Sequence, residues 1–191
     1  MLTTLMGLGA LAISADAPVN LPAASWDATV VVIYDLTEGE IMHKVPAVFP
    51  RNADGPGPMF QCLEGRYRMT LALDRPEFRN IIPKRTRRAR RVSGQIIVAG
   101  EKTFDGAFIF APETQTVASR ERKPAAQVFN AVIRGQDVVF RMRRDNYDLV
   151  LPPMNNEFKE FAAACAKLAD GDESIWDDPT WAVPDDYRPP R

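Results

Sequence analysis

Two cysteines carry the most definite chemistry in this chain. Cys62 and Cys165 are the only thiols among 191 residues. In an oxidising compartment such a pair commonly forms one disulfide, whereas in the cytosol both thiols stay free. A bridge that closes a loop of about a hundred residues would stabilise the fold by about 4–5 kcal/mol through loss of unfolded-chain entropy. We therefore expect a Cys62–Cys165 disulfide if the chain is exported, and two buried free thiols if it is not.

The other residue types argue against catalysis and metal binding. His43 is the single histidine, and no nucleophile elbow or comparable motif accompanies it. The sequence lacks clustered zinc ligands, the carboxylate spacing of a calcium loop and the glycine fingerprints of nucleotide sites. No carboxylate pair for glycoside hydrolysis is singled out by its context. We predict no catalytic residues, no metal site and no cofactor.

A basic segment is the most distinctive charged feature. Six of the eight residues from 84 to 91 are basic, and arginine outnumbers lysine five to one. Arginine favours planar, bidentate contacts with phosphates and carboxylates. In an exported protein the expected partner is another envelope protein, or an anionic lipid or glycan. In a cytosolic protein it would be nucleic acid, for which the segment has no interleaved aromatic platform. The alternative is a solvated edge strand whose charges prevent aggregation. The candidate anion- or partner-binding residues are Lys84, Arg85, Arg87, Arg88, Arg90 and Arg91.

The end of the chain has the opposite charge. From Asp170 onward there are seven acidic residues, two basic residues and four prolines. Trp176 and Trp181 lie in this tail, where they are candidates for a docking peptide that orders on binding a partner. Alternatively, the tail packs its tryptophans on its own domain. A third possibility is that the acidic tail folds back on the basic segment, in the same copy or in a neighbouring one.

The first seventeen residues resemble a secretory signal. The run from Leu5 to Ile13 is apolar, and Ala15-Asp16-Ala17 has the small-x-small cleavage pattern. The segment has no lysine or arginine and Pro18 would follow the cut, so cleavage after Ala15 is an alternative. The apolar run is too short to span a bilayer stably. We predict a periplasmic or secreted protein with no transmembrane segment after cleavage; a loose or docked N-terminus is the alternative.

Strands make up most of the elements that must position these residues. The β-branched and nearly continuous apolar run 28–34 predicts a central strand, Pro46 predicts an edge or split strand, and Gly106 predicts a bulge. Glu64-Gly65 predicts a hairpin turn, and Arg144-Asp145-Asn146 predicts another. Alternating or β-branched patterns predict strands at 28–34, 41–49, on both sides of the hairpin turn within 59–73, and at 88–99, 103–111, 137–143 and 147–151.

Two segments have the helical period. One covers 124–134 and is followed by Gly135, a typical helix-ending residue. The other covers 155–168, with an asparagine as N-cap and Cys165 on its apolar face. We predict an α+β fold, mainly antiparallel β, with a sandwich-like or strongly bent sheet and two short helices, the C-terminal one tethered by the disulfide. The expected organisation is a signal peptide at 1–17, a linker at 18–26, a β-rich domain at 27–169 and the acidic tail at 170–191.

The order of these features resembles two bacterial envelope families. One comprises the periplasmic accessory proteins of type VI secretion (TagO/VasI type), and the other comprises the invasion-associated locus B proteins. The resemblance covers roughly 28–168 in element order and implies a disulfide-closed, β-rich periplasmic or secreted domain without catalytic residues. The segments that carry it are Phe60-Gln61-Cys62, the helix with Phe129, Val138-Val139-Phe140, Leu149-Val150-Leu151-Pro152 and the run from Phe158 through Phe161 to Cys165.

The composition and the resemblance together favour binding over catalysis. We expect an exported, non-catalytic binding or accessory protein that acts through protein or anionic-surface contacts. One alternative is a secreted inhibitor or immunity-type protein that blocks an enzyme. Another is a small periplasmic hydrolase, which would need convergent carboxylates in a concave site.

Overall fold

The computed structural model describes residues 23–34, 41–73, 89–112, 114–119 and 121–183. Within these ranges the chain forms one antiparallel sheet of nine strands, two helices and two short 3₁₀ turns. The predicted α+β, mainly antiparallel class is confirmed. The strands are β1 (Ser25–Tyr34), β2 (Ile41–Arg51), β3 (Gly57–Leu63), β4 (Arg66–Ala72), β5 (Arg90–Val98), β6 (Lys102–Ala111), β7 (Thr116–Ser119), β8 (Val138–Met142) and β9 (Asp145–Asp148).

The sheet order brings distant parts of the chain together. Across the sheet the strands run β1-β2-β3-β4-β7-β6-β5-β8-β9. The helices are α1 (Arg122–Arg134) and α2 (Asn156–Ala169). Side chains alternate between the two faces of each strand, and both helices pack on the face that carries Phe60, Tyr67 and Met69. The other face of the sheet carries no helix of the described chain.

The start of α2 and the end of α1 are formed by the residues that the sequence predicts for them. Asn155 is the N-cap of α2, and its side-chain oxygen accepts a hydrogen bond from the N–H of Phe158 at 3.1 Å. Gly135 follows α1 with φ +62°, a left-handed conformation that glycine adopts without steric cost. The helix that carries Cys165 is therefore fixed at its start by a local hydrogen bond and not by packing alone.

An aromatic cluster joins the helices to the sheet. The ring of Phe129 in α1 stacks on Tyr67 at 4.3 Å and on Phe158 at 4.8 Å, and it meets the edge of Phe60 at 5.5 Å. Phe60 and Phe158 are fully buried. Each such side chain contributes about 2–3 kcal/mol by burial, so this cluster is the main attachment of α1 and α2 to the first four strands.

The prediction that β1 is a central strand is wrong. β1 lies at one end of the sheet and pairs only with β2 in the described chain. A continuous apolar run is also compatible with an end strand whose two faces are both half-buried, and the described side chains from Ala28 to Val32 have that exposure. Sequence pattern alone does not separate these two cases.

The prediction that Pro46 splits β2 or marks a sheet edge is also wrong. β2 is continuous and lies between β1 and β3, with Pro46 opposite Val30 and Pro50 opposite Trp26. Both prolines occupy even-numbered positions, so their backbone nitrogens point to the same side of the strand. Because proline has no N–H to donate and the β1–β2 ladder is continuous here, that side is the one that faces away from β1. β3 pairs with β2 only at Ala47 and Val48, so neither proline costs the sheet a hydrogen bond.

Gly106 does not mark a bulge, which corrects the third strand prediction. The β5–β6 register is continuous, and Gly94 lies opposite Gly106. A Cβ on Gly94 would lie 2.7 Å from the ring of Phe140, and a Cβ on Gly106 would lie 2.9 Å from the ring of Pro124. The two glycines therefore leave room for the rings of Phe140 and Pro124.

Trp26 belongs to the domain and not to a linker. Its side chain is 2% exposed, and its ring lies 4.9 Å from that of Phe158. The indole N–H donates to the carbonyl of Pro152 at 2.8 Å, and the Asn155 side-chain amide donates to the carbonyl of Trp26 at 2.8 Å. The segment between β9 and α2 is thereby fastened to β1.

Two hairpin turns were also predicted. Leu63 pairs with Arg66, and the intervening Glu64 and Gly65 both have positive φ, as in a type I′ turn, which confirms the Glu64-Gly65 prediction. The second turn lies at 143–144, because β9 begins at Asp145 and not at Tyr147 as predicted.

Replacing Gly65 with alanine is expected to cost about 3 kcal/mol of stability. A Cβ at Gly65 would overlap the backbone N and Cα of Ala169 at the end of α2, in addition to the strain of φ +68°. Gly100→Ala is the matched control, because Gly100 has φ +72° with nothing within 4 Å of the added Cβ. Its expected cost is about 1 kcal/mol. Equal losses for both variants in chemical denaturation would contradict the packing of this hairpin on α2.

Candidate functional site

The two cysteines form the predicted disulfide. Cys62 in β3 and Cys165 in α2 are bonded, with 5.5 Å between their Cα atoms and 103 residues between them in sequence. Both are almost fully buried. The bridge ties the sheet to the last helix, and it removes both thiols from the list of possible nucleophiles.

The described part of the basic segment does not form a patch on one face. Lys84, Arg85, Arg87 and Arg88 lie outside the described residues. Arg90 and Arg91 are consecutive in β5 and therefore point to opposite faces of the sheet. Arg91 is exposed on the helix-free face, opposite Ile109, whereas Arg90 is half-buried. A combined contact of these two side chains with one flat anionic surface is not supported.

The tail residues up to 183 pack on the domain, which is the second of the alternatives for the tryptophans. Trp181 is 3% exposed and belongs to the core cluster, together with Ile175. Trp176 is half-buried, with the ammonium of Lys44 lying 5.9 Å from its ring centroid. Trp181 is therefore not available as an exposed docking residue in this structure, and Trp176 is available only in part.

Two aspartates shape the 3₁₀ turns of this tail, which cover Ser174–Asp177 and Pro179–Trp181. The pKa of Asp172 is lowered by two hydrogen bonds from Ser174, of which the one from the hydroxyl has the larger effect and the one from the backbone N–H the smaller. The pKa of Asp178 is lowered by hydrogen bonds from Thr180, and the one from the backbone N–H has the largest effect. Because each folded pKa is depressed, the stabilisation is present above the unfolded pKa and is lost as the pH falls through the folded pKa.

His43 lines an open cavity of about 430 Å³ beside the disulfide. Lys44, Glu64, Glu173 and Trp176 also line it, and the side chain of His43 is exposed. Among the lining residues that the structure describes there is no serine, threonine or free thiol, so none of them pairs this histidine with a hydroxyl or thiol nucleophile.

A larger open groove lies on the helix-free face of the sheet. It has a volume of about 710 Å³ and is floored by the central parts of β5 and β6. Its charged residues are Arg141 and Arg143 on one side and Asp105 and Glu121 on the other. The described lining residues are Ser93, Gly94, Gln95, Asp105, Gly106, Ala107, Glu121, Arg141 and Arg143.

A row of hydrogen bonds crosses the floor of this groove. Gln95 donates to Asp105 at 2.8 Å, and the Arg141 Nε donates to Asn146 at 2.8 Å. A longer contact of 3.5 Å joins Arg141 Nη1 to the amide oxygen of Gln95. The strand register places these four residues opposite one another across β6, β5, β8 and β9. The row therefore holds the guanidinium of Arg141 in place with amide oxygens alone.

The charge of Arg141 is oriented but not neutralised. No described carboxylate lies within ion-pair distance of it; the ion pair between Arg51 and Asp27 is elsewhere on the sheet. A guanidinium has five N–H donors in a fixed fork, and two of them are engaged by the amides. The remaining donors match a carboxylate or a phosphate. None of the groove residues was a sequence-based candidate, because they come from separate strands that only the sheet register brings together.

The described residues contain no group of three or more side chains suited to hold a metal ion. No helix in the described part of the chain is long and apolar enough to cross a membrane. No family model, curated protein or solved structure matches the chain. The candidate site therefore rests on its own geometry, and its central features are the disulfide-braced sheet and the groove around Arg141.

Proposed function

We propose that this chain is an exported, non-catalytic binding protein that recognises another envelope protein through the helix-free face of its sheet. The observation that carries the proposal is the groove around Arg141. Its guanidinium is held by neutral amides and exposed, which is the arrangement expected of a receptor for an acidic side chain. Arginine is also among the residues that most often dominate protein interfaces.

The mixed charge of the groove favours a protein partner over an anionic lipid or glycan surface. Asp105 and Glu121 line the same groove as Arg141 and Arg143. A uniformly anionic surface would be repelled by the two carboxylates. A protein segment can place an acidic group at the arginines and a hydrogen-bond donor or a cation at Asp105, because such interfaces match opposite potentials locally.

The disulfide supports export. It is buried and closes a loop of 103 residues, and bonds of this kind persist in oxidising compartments. The signal-like sequence at 1–17 points to the same compartment but lies outside the described residues. The resemblance to the two envelope families adds a binding or accessory role to the proposal.

Cross-linking in cells tests the proposal. A photo-reactive amino acid at Ser93, an exposed groove residue, is expected to give one discrete adduct in the periplasmic fraction. The same group at Glu160, which is exposed on α2, is the control and should give none. Adding Arg141→Gln to the Ser93 probe should weaken capture about tenfold, which corresponds to about 1.4 kcal/mol. Gln is a shorter, neutral side chain that keeps an amide donor, so the variant removes the charge and the guanidinium fork together.

Two results would contradict the proposal. Recovery of the protein in the cytoplasmic fraction with two free thiols would rule out the proposed export. An adduct from Ser93 that is unchanged by Arg141→Gln, or that appears equally from Glu160, would remove the groove as the recognition surface.

A further inference from the structure

The outer edge of β1 is long and uncharged. From Ala28 to Tyr34 the strand has no charged residue, and its side chains are mostly β-branched. Such an edge is a template for pairing with another strand, and proteins normally blunt it with lysine, proline or a bulge. The β1–β2 register is regular from Ser25 to Ile33 and shifts only between Ile33 and Tyr34. The opposite edge of the sheet is short and charged, because β9 has only four residues and carries Asp145 and Asp148. The two edges are therefore not equivalent.

Two independent observations identify the backbone groups on this edge. Asn155 donates to the carbonyl of Trp26, so that carbonyl is accessible from outside the β1–β2 ladder. Pro46 lies opposite Val30 and has no N–H, so Val30 belongs to a pair that does not hydrogen-bond across the two strands. Both place the N–H and C=O groups of even-numbered β1 residues on the free edge. Within the described chain, no backbone hydrogen bond from outside β1 and β2 reaches Ala28, Val30 or Val32; α2 and the turn Pro179–Trp181 also lie close to β1.

Asn155 limits where a new strand can add. Its amide covers the edge at Trp26 while its side-chain oxygen caps α2. The open part therefore begins at Ala28 and includes Val30 and Val32. An extended segment of about five residues can pair with this stretch, donating its N–H groups to the free C=O groups of β1 and accepting from the free N–H groups.

We propose that a second copy of this chain pairs with this edge, β1 against β1 in antiparallel orientation about a two-fold axis at Val30. In this register Val30 faces Val30, Ala28 faces Val32 and Thr29 faces Val31. No like charges oppose one another, and each β-branched pair stabilises the contact by a few tenths of a kcal/mol or more. The strand is therefore complementary to itself, as a two-fold interface requires. The net charge of −1 adds little repulsion between copies.

The oligomeric state of the purified protein tests this pairing. Sedimentation across a concentration series should show a species of twice the monomer mass. Val30→Pro should abolish it, because the substitution deletes an edge N–H and leaves the β2 ladder intact. Val30→Ala is the control for loss of the valine side chain, since it removes the two methyl groups but keeps the edge N–H, and it should still dimerise.

Cysteine substitutions test the register and do not depend on whether the proline variant folds. In the proposed pairing the two Val30 Cα atoms are about 5.5 Å apart, within disulfide range. The two Val32 positions are offset by about 13 Å along the strands. Mild oxidation should therefore cross-link Val30→Cys into a dimer and leave Val32→Cys monomeric.

A monomer at every concentration overturns the proposal. So does a dimer that survives Val30→Pro in a folded variant, or equal cross-linking of the two cysteine variants. Cross-linking of Val30→Cys to a different protein in cells, with the purified chain monomeric, would assign the edge to a heterologous strand and likewise overturn the pairing of two copies.

Discussion

Replacing Cys62 and Cys165 together with alanine is expected to lower the free energy of unfolding by about 4 kcal/mol. The bridge closes a loop of 103 residues, and the chain-entropy model assigns a loop of this length about 4.7 kcal/mol. A typical domain is stable by only about 5–15 kcal/mol, so the variant would be marginal at physiological temperature. Denaturant titration followed by tryptophan fluorescence, with intact-mass analysis to verify the oxidised state of the parent, measures the loss.

Alanine is the appropriate replacement because both positions are almost fully buried. Serine would add the cost of a buried hydroxyl without a partner. The parent protein measured under reducing conditions is the control, because it keeps both sulfur atoms and loses only the bond. Agreement between the reduced parent and the double variant would assign the loss to the cross-link. A loss below about 1 kcal/mol would show that the unfolded chain retains the proximity of these segments without the bond.

Trp26→Ala is the second substitution with a large expected effect, about 4 kcal/mol. The ring is 2% exposed and lies between Phe60 at 5.9 Å and Phe158 at 4.9 Å. Its removal leaves a cavity at the junction of β1 and α2, and the Pro152 carbonyl loses its donor. Thermal or chemical unfolding monitored by circular dichroism measures the change.

Two controls separate the causes of this loss. Trp26→Phe keeps most of the ring volume but not the N–H, so its expected cost is about 1–2 kcal/mol. Trp176→Ala removes a tryptophan that is half-buried and contacts Lys44, and its expected cost is about 1 kcal/mol. If Trp176→Ala costs as much as Trp26→Ala, the junction of β1 and α2 is not the dominant tryptophan contact.

Local chemistry predicted much of the fold. The type I′ turn follows from Glu64-Gly65, the end of α1 from Gly135, and the start of α2 from Asn155. Helical spacing placed Cys165 on the buried face of α2. These features depend on neighbours within about four residues, which is the range over which sequence patterns act directly.

Most of the wrong predictions concern distant partners; the exception is the second hairpin turn, which lies at 143–144. Gly106 resembled a bulge because its partner, the ring of Pro124, and the neighbouring Gly94 are known only from the packed structure. Trp26 was assigned to a linker, although it starts the alternation that Ala28 and Val30 continue. A single apolar residue at the start of a strand carries little signal until its acceptor, the carbonyl of Pro152, is known.

The groove could not be found from the sequence for a related reason. Asp105, Gln95, Arg141 and Asn146 come from four strands, and only the order β6-β5-β8-β9 aligns them. Each residue alone is an ordinary exposed polar position of a strand. The basic segment attracted attention because its charges are consecutive, but consecutive residues in a strand point to opposite faces.

The two prolines of β2 also restrict how the first two strands can be misaligned. A slip by one residue must turn one of the two strands over, which exchanges the faces of that strand. If β2 turned over, Pro46 and Pro50 would face β1, where each lacks the N–H that the ladder needs. If β1 turned over, Trp26 would leave the core. A β-branched, uncharged strand such as β1 has little other side-chain chemistry to define its alignment, so its register depends on one buried tryptophan and on two missing hydrogen-bond donors in its neighbour.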